Sequence, residues 1–167
     1  MKKMTEDNMK AAFAGESQAH VKYMLFAEKA EKDGLANVGR LFRAASYAEQ
    51  VHASRHLRTL LGVGRTADNL AAAIAGETYE FESMYPAFES VAKLEGEPGA
   101  TKAIQYAMEA EKVHAQLYSR AKDAVTVGRD TEMGPVVVCD ICGYTAEGEA
   151  PDKCPLCGAP KERFSTF

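Results

Sequence analysis

Ala48-Glu49-Gln50-Val51-His52-Ala53 and Ala110-Glu111-Lys112-Val113-His114-Ala115 are near-copies of one hexapeptide, 62 residues apart. Ahead of each stands a second matched pair at a spacing of 61: Phe13-Ala14-Gly15-Glu16-Ser17 and Ile74-Ala75-Gly76-Glu77-Thr78. One helical hairpin has been duplicated, and its copies agree best around Glu and His. A repeat kept only for packing would preserve apolar positions at least as well. Within each hexapeptide the carboxylate and the imidazole are three residues apart. On a helix they share one face, a turn apart, and reach a single inward point.

Outward from these copies the chain reads as four long helices. The first starts after Thr5, a candidate N-cap, and stops at Gly34. The second runs from about Asn37 to Leu61, ahead of Gly62 and Gly64. The third follows Thr66 and extends to about Glu95, with Pro86 as an expected kink. The fourth opens at Pro98, a favoured first-turn proline, and ends near Val127. Helices of this length suit a four-helix bundle over residues 1–128. Residues 129–135 read as a polar linker, and Val136, Val137 and Val138 as a short strand opening a second domain at 136–167.

Two lone-Glu helices, carrying Glu16 and Glu77, plus two Glu-x-x-His helices form the donor pattern of di-iron and di-manganese carboxylate bundles. By chance about 0.4 E-x-x-H matches are expected in such a chain, so one is weak and two in matched hexapeptides are strong. Glu80 shares the face of Glu77 and breaks the repeat, which has Ala19 in its place. His56 lies one turn beyond His52, but the repeat puts Tyr118 there, which argues against ligation. His20 reads as a packed residue or one that supports a ligand from behind, and Glu82 and Glu89 as solvated. Tyr23 and Tyr85, seven after Glu16 and five after Glu80, could donate hydrogen bonds to the carboxylates or simply fill core.

All four cysteines, Cys139, Cys142, Cys154 and Cys157, stand as two C-x-x-C pairs in the C-terminal domain. Four thiolates make a closed tetrahedral site, for zinc or for one iron. So short and Gly/Pro-rich a segment needs that metal to fold. Tyr144, Phe164 and Phe167 are its expected aromatic packing.

Composition narrows the function. The chain has 167 residues, 46% hydrophobic, 26% charged, with a net charge of −4. No basic field invites nucleic acid or anionic lipid. The longest apolar run, around Leu70 to Ala75, is about six residues, far short of a membrane span. The N-terminal residues carry no apolar run of the kind a signal peptide needs, so a cytoplasmic location is expected.

On A-G-E-S, A-E-Q-V-H-A, A-G-E-T-Y-E, E-A-E-K-V-H-A and C-D-I-C-G-Y … C-P-L-C-G-A-P, the chain resembles the rubrerythrin family over essentially its whole length. The resemblance implies a mainly α protein: a ferritin-like four-helix bundle holding an oxo- and carboxylate-bridged di-iron site, joined to a small rubredoxin-like Fe(Cys)4 domain. It places the di-iron ligands on Glu16, Glu49, His52, Glu77, Glu80, Glu111 and His114, with Tyr23 and Tyr85 beside them and Glu80 and His52 exchanging on the first iron. It assigns iron to the cysteine site.

The implied activity is reduction of hydrogen peroxide to water in oxidative-stress defence. Its electrons come ultimately from NAD(P)H, through rubredoxin or a separate reductase. Two ferrous ions with five carboxylates sum to −1, and so do two ferric ions with an oxo bridge and the same carboxylates, so two electrons leave without charge build-up. A ferroxidase or iron-handling protein, and a non-enzymatic helical scaffold with a structural zinc ribbon, are the alternatives. In the family's bundle the second and third helices run parallel. The connection must then return roughly 33 Å, whereas Gly62 to Thr66 spans about 18 Å fully extended. A domain-swapped homodimer is expected from that mismatch.

Overall fold

The computed structural model describes residues 1–167. It divides into two compact units, Met1–Gly64 and Arg65–Phe167.

The first unit is a helical hairpin, α1 (Lys3–Lys32) and α2 (Ala36–Thr59). Helix α1 begins three residues earlier than expected, with Lys2 rather than Thr5 as N-cap and no side-chain cap. Ion pairs one turn apart, Lys3–Asp7 and Lys10–Glu6, both 2.5 Å, brace its first turns instead. Gly34 turns the chain at φ 77°, a conformation that costs glycine nothing.

The buried positions between the two helices are small: Ala27, Ala30, Gly39, Ser46 and Ala53. Small residues let the helices approach closely. A Cβ at Gly39 would lie 2.7 Å from Glu31 Cγ and 3.3 Å from the Ala27 carbonyl oxygen. Across the hairpin, buried Ser46 donates from Oγ to the His20 carbonyl oxygen at 2.8 Å, and His20 Nδ1 lies 2.9 Å from Ser46 Oγ. His20 is therefore a packed residue, as its sequence position suggested. Large apolar side chains, among them Val21, Leu25 and Leu41, stay exposed.

In the second unit α3 (Thr66–Tyr79) passes through a π-helical turn (Glu80–Met84) into α4 (Tyr85–Leu94), and both segments pack on α5 (Pro98–Thr126). The expected kink is thus a π turn just before Pro86. Proline has no N–H for the Glu82 carbonyl, and its ring crowds that oxygen. The chain responds with a wider turn, in which Tyr85 N–H donates to the Glu80 carbonyl five residues back. Glu89 is not solvated as expected, since Lys93 pairs with it at 2.8 Å and Gln105 donates to it at 2.6 Å.

The C-terminal module is a three-stranded antiparallel sheet, order β2-β1-β3, of β1 (Val136–Cys139), β2 (Thr145–Glu147) and β3 (Phe164–Thr166). Gly143 and Gly158 take φ of 76° and 77° right after Cys142 and Cys157, closing two matched knuckles. Tyr144 and Phe164 pack on the cysteines as expected. Phe167 does not: it is 80% exposed and only its backbone pairs, with Val136. Tyr106 of α5 packs there as well.

Candidate metal centres

In the first unit, α1 supplies Glu16 and α2 supplies Glu49 and His52, with ligand atoms within 4.8 Å of one another. His52 Nδ1 lies 3.4 Å from Glu49 Oε2 and 3.6 Å from Glu16 Oε2. The hydrogen bond with Glu49 raises the Glu16 carboxyl above its ordinary range, while the same bond holds Glu49 below it. Two carboxylates thus face each other around one proton, the arrangement a cation relieves. His56 is near, its Nε2 4.0 Å from Glu16 Oε1.

The second unit repeats the motif with Glu77 of α3 and Glu111 and His114 of α5, again within 4.8 Å. His114 Nδ1 is 2.6 Å from Glu111 Oε2. Burial, then the hydrogen bond and charge of Glu111, push the Glu77 carboxyl up to about 7. Glu80 is raised by burial and by Glu111, and lines the same cavity of about 440 Å³ with Glu77, Glu111, His114 and Tyr118. It stands outside the tight cluster of three.

The π turn decides which phenol joins this face. In an unbroken α-helix Tyr85 would point about 140° from Glu80 and about 80° from Glu77. One residue taken up by the wider turn reduces these to about 40° and 20°. Burial raises the Tyr85 phenol, and the charges of Glu80, Glu111 and Glu77 add to it. Tyr23 sits between Phe26 and Phe42, with both ring centroids at 6.1 Å. Tyr118 was not singled out from sequence, yet burial, Glu77 and Glu111 all raise its phenol. The signal was there, because the repeat aligns it with His56.

Carboxylates and imidazoles in this number suit iron, manganese or zinc, and the acidic pairs lack any other cation. The cysteine site fits more narrowly. Cys139 and Cys157 sulfurs are 3.7 Å apart, Cys142 and Cys154 3.5 Å. A tetrahedral metal with bonds of about 2.3 Å needs edges near 3.8 Å, whereas a disulfide needs about 2.05 Å. Burial pushes the Cys142 thiol up strongly. It acts on Cys154 too, but N–H groups of Cys157 and Leu156 bring that thiol down to about 7. The four sulfurs are thus placed for one metal, and the second knuckle already favours the thiolate at Cys154.

If Glu77 is a ligand, metal uptake at the second cluster displaces its proton. In the metal-free chain that proton is held up to about 7, against an ordinary 4.5. From this group alone the metal-free fold loses stability as pH rises from 4.5 through 7, since the unfolded chain releases the proton first. Thermal melts of the chelated and the metal-loaded chain, from about pH 5 to about pH 8, are expected to show a metal-induced Tm gain that grows through pH 7. Glu77→Gln should flatten this trend. An equal gain at both pH extremes in the wild type would remove Glu77 from the site.

Comparison with known proteins agrees with this geometry. The rubrerythrin family model matches residues 7–122, and the model described as the rubrerythrin rubredoxin-like domain matches 138–165. Rubrerythrin-2 of Clostridium acetobutylicum is 37% identical, covering 98% of this chain and 97% of the relative. Nigerythrin of Nitratidesulfovibrio vulgaris is 35% identical over 98% and 86%. A solved structure of fully reduced, all-ferrous nigerythrin superposes with a TM-score of 0.57 at 34% identity, covering 98% and 86% of the two chains. No helix is long and apolar enough to cross a membrane. With both family domains matched in order, on a mainly helical chain whose cysteines cluster at its C-terminal end, the chain belongs to the rubrerythrin family, with a ferritin-like di-iron domain and a rubredoxin-like Fe(Cys)4 domain.

Proposed function

We propose that the protein is a non-haem di-iron peroxidase of oxidative-stress defence, working in the cytoplasm. In this reading residues 1–128 form the bundle, 129–135 the tether and 136–167 the electron-entry module. Glu49 and Glu111 would be the ligands shared by an iron pair, Glu16 and Glu77 its terminal carboxylates and His114 the imidazole for the second iron. Glu80 and His52 would compete for the first. Cys139, Cys142, Cys154 and Cys157 hold the single iron, refilled by rubredoxin or an NAD(P)H-dependent reductase. The active assembly is a domain-swapped homodimer.

When bound, the iron pair supplies two electrons for H2O2 + 2 e− + 2 H+ → 2 H2O. The chain's own groups supply position and protons. Tyr85 and Tyr118, whose phenols burial and the charges of Glu77 and Glu111 raise, stay protonated beside the second cluster and so are available there as hydrogen-bond donors.

One observation carries the reading. Within Arg65–Phe167 a cleft of about 290 Å³ is lined by Glu111 and His114 on one side and by Cys142 and Gly143 on the other. Iron storage gives the cysteine module no such place. The test is anaerobic stopped-flow mixing of reduced, iron-loaded protein with hydrogen peroxide, following Fe(Cys)4 absorbance. Rapid oxidation is expected, slowed about 100-fold or more in Glu111→Ala. An unresponsive cysteine centre, with the bundle instead oxidising added Fe(II), would replace the peroxidase reading by a ferroxidase.

A further inference from the structure

Thr145 is one of two buried polar side chains in the chain, 4% exposed. It opens β2, two residues after the glycine that closes the first cysteine knuckle. Its hydroxyl donates to the Gly143 carbonyl oxygen at 3.0 Å, and the same oxygen lies 2.8 Å from His114 Nε2. A hydroxyl has a single proton, and here it is committed to Gly143. The bond from the histidine therefore runs Nε2–H to Thr145 Oγ1. Nε2 thus carries a proton, and Nδ1 faces Glu111 Oε2 at 2.6 Å, a contact that needs a proton of its own until a metal takes its place.

Nothing else in the α5 contact offers this link. Arg120 pairs with Glu147, and Tyr106 packs on the cysteines. These contacts fasten the module to α5 but touch neither His114 nitrogen.

We propose that Thr145 is a positioning residue that fixes the ring orientation and tautomer of His114 and couples each chain's cysteine centre to the half-site on its own α5. The coupling runs through bonds already in place: Cys142, the Gly143 carbonyl, the Thr145 hydroxyl and the imidazole. Each electron leaving the cysteine iron enters on the His114 side, and the Nε2 proton remains where it is, so no charge is stranded along the route. A valine of the same shape would keep the packing and lose both hydrogen bonds. The coupling half of this inference rests on the peroxidase reading, whereas the positioning half does not.

Two measurements on the full-length chain separate these halves. In zinc-loaded protein, 1H–15N correlation of histidine rings is expected to show a slowly exchanging Nε2–H for His114. It should be lost in Thr145→Val and restored in Thr145→Ser. In iron-loaded protein, oxidation of Fe(Cys)4 by peroxide is expected to slow about tenfold in the valine variant and recover in the serine variant. The Fe(Cys)4 absorption band serves as the check that the module is folded. An unchanged His114 Nε2–H in Thr145→Val would overturn the positioning role. A lost Nε2–H with an unchanged oxidation rate would overturn the coupling role. A wild-type cysteine centre that ignores peroxide would instead count against the peroxidase reading and the coupling that depends on it, leaving the ring measurement to decide the positioning.

Discussion

A one-to-one mixture of two inactive variants, refolded together, should recover about a quarter of wild-type peroxide turnover. One variant carries Glu16→Ala with Glu49→Ala, the other Glu77→Ala with Glu111→Ala. Each alone should be about 100-fold or more below wild type, since each site then lacks two of its five carboxylates. The recovery follows from the proposed swap, in which Met1–Gly64 of one chain meets Arg65–Phe167 of another. Half of the random dimers are mixed, and each mixed dimer regains one intact site of two.

Chain length carries the argument. From Glu49 helix α2 continues ten residues to Thr59, and α3 needs eleven more from Thr66 to reach Glu77. If α2 and α3 run parallel at one level in a single chain, the connection must return about 31 Å. Seven Cα steps extend to about 25 Å at most. The real connector is shorter still, because Leu61 N–H donates to Arg58 and Gly62 N–H to Leu57, folding its start back onto the helix end. The exposed Val21, Leu25 and Leu41 of one unit and Val91 and Leu94 of the other are the apolar surface such an exchange would cover. Mixed dimers detected by mass, with both variants folded and no turnover recovered, would eliminate the swap.

Replacing Cys139 and Cys154 together by serine should leave residues 136–167 without ordered structure while the helices persist. One sulfur leaves each knuckle, so three-thiolate binding is removed as well. The cysteines are themselves the buried cluster of the module, with Tyr106, Tyr144, Leu156 and Phe164 arranged around them. Strands of three or four residues cannot hold without it. A structural metal of this kind contributes about 10–16 kcal/mol. Hydrogen exchange checks the expectation: amides of Val137 to Cys139, protected in the wild type, should exchange at once in the variant, with helical circular dichroism nearly unchanged. Retained protection there would mean that packing on α5 suffices.

Much of this was legible because the chemistry is periodic. Glu-x-x-His twice, and Cys-x-x-Cys twice, fix which side chains meet once the elements are helix and knuckle. Spacing paired Glu49 with His52 and Glu111 with His114, while Glu16 and Glu77 were added from the known donor pattern of such bundles, and the structure gathers each three into one cluster. Features that depend on backbone departures from period did not follow. The wide turn before Pro86 looked like a simple kink, and Tyr118 entered the sequence reading only as the counterpart of His56. Phe167 was misjudged for another reason: a terminal aromatic counts as core by composition, yet only its backbone pairs with the sheet. The docking of Thr145 on His114 spans 31 residues of sequence and has no local signal.

The wide turn also keeps the two copies in register. Glu16 and Glu77 align at a spacing of 61, but Tyr23 and Tyr85, Phe26 and Phe88, Ala30 and Ala92, and Gly34 and Gly96 all align at 62. The second copy is therefore one residue longer between Glu77 and Tyr85, and Glu80–Met84 is where the helix carries that residue. In a regular helix one extra residue would turn everything beyond it by about 100°. Held in a π turn, it leaves Tyr85 and Phe88 in the places that Tyr23 and Phe26 hold in the first copy. The two halves of the repeat are thereby distinguishable, and Glu80, a carboxylate without a counterpart in the first copy, stands at the point where they differ.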